Sequence, residues 1–215
     1  MLLSWNGRNA VIDTGAEFRR QVLAHGLSRL DAALYTHSHA DHVHGIDDLR
    51  GFAPSAEKPL PVYADARTAA FLRRTFEYIF GADASVPNIP RLDLRETSGP
   101  FGLFGQTVVP VPVFHGGDSI LGYRVGPLAY LTDCSGLPES SLTLLEGIDL
   151  LVVGALRPVP HPKHFSLGQA LEFIASVGPK RALLTHISHK LGHRETEAAL
   201  PPGVGLAFDG MRVSL

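Results

Sequence analysis

Residues 36–42 read Thr-His-Ser-His-Ala-Asp-His, directly after the apolar run Ala32, Ala33, Leu34, Tyr35. Histidines packed this densely are hard to explain as core: crowded imidazoles repel when protonated and pack poorly when neutral. The spacing His-x-His-x-Asp-His gathers His37, His39, Asp41 and His42 into one short stretch. Imidazole and carboxylate donors together suit zinc, manganese or iron. In an extended segment alternate residues share a side, so His37 and His39 can reach one ion. A turn after them would bring Asp41 and His42 to a second ion. A fold that accepts this segment has to end a buried strand at a metal centre; the alternative reading is a solvated histidine-rich loop.

Two ions need roughly three protein ligands each, with open positions left for solvent. Further candidates stand at the ends of apolar runs. His115 follows Val111–Phe114 and precedes Gly116-Gly117, where a backbone without side chains could approach an ion or a phosphate. Asp133 follows Leu128–Leu131 and Thr132; a carboxylate there has two oxygens and can bridge two cations. His186 follows Ala182–Leu184 and Thr185, repeating the order Thr36-His37, with His189 three residues on as the rival choice. His161 and His164 precede a segment in which Ser166 and Gln169 have the spacing of a capping box. His164 is read as an acid or phosphate-binding group near a helix N-terminus. His161, between two prolines, is read as structural, and Arg157 as a candidate phosphate contact. Asp13, at a strand end beside Thr14-Gly15, is suited to hold a ligand imidazole through its other ring nitrogen. His44 is out of phase with the cluster, and His25 and His193 read as surface residues near helix ends.

A length of 215 residues supports one domain with a full core, and 45% hydrophobic with 19% charged residues is a globular balance. The net charge of -2 leaves no electrostatic footprint for extended nucleic acid. No apolar run approaches the roughly 20 residues that span a bilayer. The single Cys134 suits a reducing compartment, and the first residues lack a signal-peptide pattern, so a cytoplasmic protein is expected.

Along the chain, Leu2–Trp5 and Ala10–Ile12 flank Asn6-Gly7 as a hairpin. Glu17–His25, Ala66–Phe80, Pro138–Leu145, Leu167–Val177 and Arg194–Ala199 read as helices, with Ile46–Arg50 a helical turn. Ala32–Tyr35, Pro61–Ala64, Ile120–Val125, Leu128–Leu131, Leu150–Val153, Ala182–Leu184, Gly203–Phe208 and Met211–Val213 read as strands. Pro110 and Pro112 mark Thr107–Phe114 as an edge or bulged strand. Residues 81–100 read as a surface loop that could serve as a lid. Strands and helices alternate loosely, which indicates a single α/β domain over 1–215.

Ile12–Gly15, Thr36–His42, His115, Asp133 and His186, in this order, resemble the metallo-β-lactamase superfamily of hydrolases. The resemblance implies a four-layer αββα sandwich with two divalent metal ions along one edge. His37, His39 and His115 would hold one ion, Asp41, His42 and His186 the other, and Asp133 would bridge them; zinc is expected first, manganese or iron after it. Within the superfamily, His161–Ser166, Thr185–His189 and Leu200–Met211 resemble the phosphoribosyl cyclic-phosphate phosphodiesterases of phosphonate breakdown. This implies hydrolysis of a small cyclic phosphate or nucleotide-like phosphodiester, with His164 matching the histidine that assists the phosphoryl chemistry; Arg157 and Gly116 remain candidate substrate contacts from the residues themselves. Expected partners are a small phosphodiester and, for assembly, a second copy in a homodimer; neither extended nucleic acid nor a membrane is expected. The first strand of the family is missing or shortened here, and no cysteines accompany His189, which matches a structural-zinc ligand. Competing readings are another ester, thioester or lactone hydrolase on the same scaffold, a tRNA 3′-end nuclease, or a metal-loaded binding module without turnover. An oxygen-reducing diiron role is disfavoured because His39 stands where those proteins carry glutamate.

Overall fold

A computed structural model of the protein describes residues 1–53, 58–81, 83 and 86–215. They form two compact units, Met1–Gly99 and Pro100–Leu215.

In the first unit, strands β1 (Leu2–Trp5) and β2 (Arg8–Ile12) form the expected hairpin. Asn6 and Gly7 both take positive φ, as a two-residue hairpin turn of this kind requires. Helix α1 (Phe18–Ala24) follows, then β3 (Ala32–Leu34) and the short α2 (Ala40–Val43). Next come β4 (Leu60–Ala64), α3 (Ala66–Thr75), α4 (Glu77–Phe80) and β5 (Leu92–Glu96). The sheet order is β1-β2-β3-β4-β5, parallel from β2 onward. Parallel strands covered by helices read as continuous apolar runs, and Ala32, Ala33, Leu34 and Tyr35 are all at 0% exposure.

Two sequence expectations need correction here. The helix expected over Ala66–Phe80 breaks at Phe76, whose φ of -112° and ψ of 44° leave the helical region. Thr75, Phe76 and Tyr78 are weak helix formers, so the local sequence gives the break little resistance. Within the expected loop over 81–100, Leu92–Glu96 is instead a strand paired along its length with β4. That part of the segment is therefore sheet rather than lid; residues 82, 84 and 85 lie outside the described residues.

The second unit carries β6 (Phe101–Leu103), β7 (Gln106–His115), β8 (Asp118–Val125) and β9 (Leu128–Leu131) as antiparallel neighbours. Helix α5 (Glu139–Leu142) leads to β10 (Leu150–Gly154), α6 (Leu167–Val177), β11 (Arg181–Thr185), α7 (His193–Ala199) and β12 (Val204–Leu206). The sheet order is β12-β11-β10-β9-β8-β7-β6, with β9 to β12 parallel. Met211–Val213, read as a closing strand, is not one: the chain turns there, with Gly210 at φ 86° and the Met211 N–H donating to the Phe208 carbonyl.

Pro110 and Pro112 lie inside β7 without breaking it. Phe114 shares their phase, and its N–H and C=O bond Gly136 and Ser135 rather than β8. The prolines' missing donors therefore face the side away from β8, where β6 reaches only residues 106–108. The edge reading holds for the middle of this strand.

Helix α6 begins where the sequence placed it. The Ser166 hydroxyl accepts from the Gln169 N–H and the Gln169 side chain accepts from the Ser166 N–H, while Gly178 ends the helix in the left-handed conformation. Ser166→Ala should cost about 0.5–2 kcal/mol of stability, measured by urea unfolding of the purified protein; a loss below that range would show that the cap contributes little to holding α6.

Candidate metal centre

In the first unit the histidine-rich segment leaves β3 at Tyr35 and turns into α2. Asp13, at the end of β2, accepts from the Thr36 N–H (2.8 Å), the Thr36 hydroxyl (2.8 Å) and His42 Nδ1 (2.7 Å). An ionised carboxylate only accepts hydrogen bonds. The one hydroxyl proton of Thr36 is thus committed to Asp13. The 3.0 Å contact between Thr36 Oγ1 and His37 Nδ1 must then be donated by the imidazole. His37 and His42 are both fixed as Nδ1–H tautomers, which puts the lone pair on Nε2, the state in which a histidine ligates metal. The rings of His37 and His39 lie 4.5 Å apart and those of His37 and His42 4.2 Å apart. His39 and Asp41 are exposed, while His37 and His42 are buried.

The backbone around this segment is held from the Asp13–Gly15 turn. The Thr14 N–H donates to the His42 carbonyl, and the Gly45 N–H to the Thr14 carbonyl. A Cβ on Gly15 would stand 2.4 Å from the Asp41 carbonyl oxygen, so only glycine allows this approach. The Thr14 and Tyr35 hydroxyls meet at 2.6 Å, both residues fully buried.

In the second unit β7, β9 and β11 end at His115, Thr132-Asp133 and Thr185-His186. His115 Nδ1 donates to the Asp133 carbonyl at 2.7 Å, which again leaves the lone pair on Nε2. The Thr132 hydroxyl donates to Asp133 Oδ1 at 2.6 Å. Asp133 Oδ2 lies 3.4 Å from His186 Nε2 and 3.7 Å from His164 Nδ1. The His164 ring stacks on His186 at 5.2 Å and meets His115 edge-on at 4.8 Å. Burial pushes the His164 pKa down to about 4; the Asp133 charge opposes that shift and the neighbouring imidazoles reinforce it. His164 is therefore neutral at pH 7.

Six non-glycine residues among those described take a positive φ, and Asp13, Asp133 and His186 are three of them. Left-handed backbone is uncommon for such residues, and sites of function are where it persists.

Of the two rival candidates, His186 stands beside Asp133, whereas His189 is exposed. Asp13 takes Nδ1 of His42, one of the candidate ligands. Arg157 is turned onto its own loop, its guanidinium donating to the Val159 and Pro160 carbonyls. The Gly116 N–H donates to Ser135 Oγ, and a Cβ there would press on the Lys163 stem at 3.0 Å. His44 is exposed beside Phe76, and His25 and His193 are exposed. Sequence reading overlooked the hydroxyls of Thr36 and Thr132 and the Thr14–Tyr35 pair. A threonine immediately before a candidate ligand at three strand ends (36, 132 and 185) was the available signal.

Residues 8–187 match the family described as the β-lactamase superfamily domain. The chain belongs to that superfamily. A diphosphatase from the PhnP family, known by its crystal structure, is 37% identical and superposes with a TM-score of 0.91 over 100% of this chain and 83% of its own. The likeness is consistent with the phosphonate-related subfamily that the sequence resembles. The short form of human tRNase Z shares the fold, with a TM-score of 0.74 at 22% identity over 99% of this chain and 90% of that one. An octanoyltransferase of Porphyromonas gingivalis (strain ATCC BAA-308 / W83) is 35% identical over 215 residues, 98% of this chain but 43% of that protein. The chain thus spans less than half the length of that curated relative. Together with the two sheets and their helices, the family match establishes an α/β metallo-β-lactamase fold in a hydrolase superfamily. Among the described residues no helix is long and apolar enough to cross a membrane.

Asp13→Asn keeps the shape but puts an amide where Thr36 and His42 need an acceptor. It should weaken zinc or manganese uptake by about 10- to 100-fold, measured against a chromogenic chelator, with the circular dichroism spectrum retained. Undiminished metal affinity would show that the Asp13 carboxylate does not set the ligand tautomers.

Proposed function

We propose that residues 1–215 act as a single metallo-hydrolase domain that holds two divalent ions and cleaves a small phosphodiester. His37, His39 and His115 would serve one ion, Asp41, His42 and His186 the other, with Asp133 shared. The observation that carries this reading is the tautomer pattern. Three imidazoles spend Nδ1 on protein acceptors, Thr36, Asp13 and the Asp133 carbonyl, and so carry the lone pair on Nε2. An all-nitrogen and oxygen donor set fits zinc first and manganese second, with iron admitted. The residues present fit such ions.

When bound, the ions supply Lewis acidity and lower the pKa of solvent towards neutrality. The chain's own groups do the rest. Asp13 and Thr132 hold ligand groups in place before substrate arrives, so no reorganisation is needed during the reaction. Neutral His164, seated between His115 and His186, offers an N–H to an equatorial oxygen of the phosphoryl group. A water oxygen bonds to phosphorus, the bond to the leaving oxygen breaks, and the water's proton ends on that oxygen.

The PhnP-family likeness at 37% identity supports a phosphoester over a thioester or lactone. That relative's name as a diphosphatase extends the substrate class from a cyclic phosphate or nucleotide-like diester to a phosphoanhydride. The octanoyltransferase match does not favour acyl chemistry, because more than half of that protein lies outside it. The same reading places the protein in the cytoplasm, with buried Cys134 reduced, and assembles it as a homodimer.

The test is hydrolysis of bis(p-nitrophenyl) phosphate with added manganese or zinc. Activity should vanish on chelation. Asp133→Ala and His37→Ala should lose bound metal and activity together. Metal-loaded protein that cleaves no ester would leave a binding module in its place. His164→Ala should keep its metal and lower turnover by roughly 10²- to 10⁴-fold; unchanged turnover would remove His164 from the mechanism.

A further inference from the structure

The loop between β10 and α6 is built as a rigid projection. Its neck is closed by backbone pairing: the Leu156 N–H donates to Phe165, the Leu167 N–H to Arg157, and Arg157 and Ser166 form a parallel bridge. Inside, the Arg157 guanidinium binds the Val159 and Pro160 carbonyls. Pro158, Pro160 and Pro162 fix three φ angles of the projecting residues. At its tip stands His161, with its ring 5.0 Å from His164. The imidazoles thus form a row that starts beside Asp133 with His186 and His115, passes through His164 and ends at His161.

The state of His161 follows from one contact. The Lys163 N–H donates to His161 Nδ1 at 3.2 Å. Nδ1 is therefore an acceptor and Nε2 carries the proton. A proline-clamped loop thus presents a ring N–H donor one imidazole further out than His164, and Lys163 lies beside it with its stem over Gly116.

We infer that His161 is a specificity-determining residue. Its Nε2–H binds the phosphate next to the one being hydrolysed, so the centre favours diphosphates, in which two phosphoryl groups are adjacent, over simple phosphodiesters. This rests on the reading that the centre cleaves phosphoesters. His164 serves the phosphoryl group under attack and His161 its neighbour, and Arg157 acts through the loop as a positioning residue.

The experiment compares kcat/KM on diadenosine diphosphate and on bis(p-nitrophenyl) phosphate for the manganese-loaded protein and two variants. His161→Ala should lower the diphosphate-to-diester ratio by about 10- to 100-fold, the worth of one hydrogen bond to a charged group. The loss should appear mainly in KM, with metal content as in the parent. His161→Gln, which returns an N–H near the position of Nε2, should restore most of the ratio. A ratio that His161→Ala leaves unmoved, or a Gln variant no better than Ala, would overturn the inference. So would a parent protein that cleaves the diester but not the diphosphate, which leaves the phosphodiesterase reading standing. A metal-loaded parent that cleaves neither substrate overturns both.

Discussion

Asp13 is the pivot of the first group of candidate ligands. One buried carboxylate fixes the Thr36 backbone, commits the Thr36 hydroxyl and orients His42, and through Thr36 it dictates the tautomer of His37. A single carboxylate thereby orients two imidazoles. Each partner of that carboxylate is itself a part of the candidate site. The residue is held at φ 60°, and the turn it opens is pinned through Thr14 to His42 and Gly45, at the C-terminal end of the α2 segment.

The second group of candidate ligands uses the same economy of parts. Thr132 orients the Asp133 carboxylate while the Asp133 backbone carbonyl orients His115, so one residue offers a carboxylate and orients an imidazole. Strand ends suit this task, because the ladder fixes the backbone up to the last residue and leaves the next free to turn away. At Asp133 and His186 the chain leaves the sheet with left-handed backbone.

Much of this was legible in the sequence, for identifiable reasons. Histidine and aspartate at strand ends are rare enough to stand out, and the Ser166–Gln169 cap is a local signal that the helix obeys. What stayed hidden is what depends on distant or weak partners. The Thr14–Tyr35 contact joins residues 21 positions apart. The alternation of Leu92 and Leu94 in β5 is short, charged on its other face and only partly buried. Arg157 reads as a cation available to phosphate until the carbonyls of its own loop are seen to occupy it. His161, read as structural between its prolines, stands beside His164 because those prolines hold the loop up.

The prolines of β7 have an effect beyond the ladder they sit in. Strand edges that present alternating donors and acceptors invite another chain to pair with them. Along the middle of β7 the two successive positions that face outward are Pro110 and Pro112, and the Pro112 carbonyl is already taken by the Ser141 hydroxyl. An incoming strand would meet no donor at either position. The protein thus carries a built-in guard against cross-β growth on the same strand whose last residue is His115.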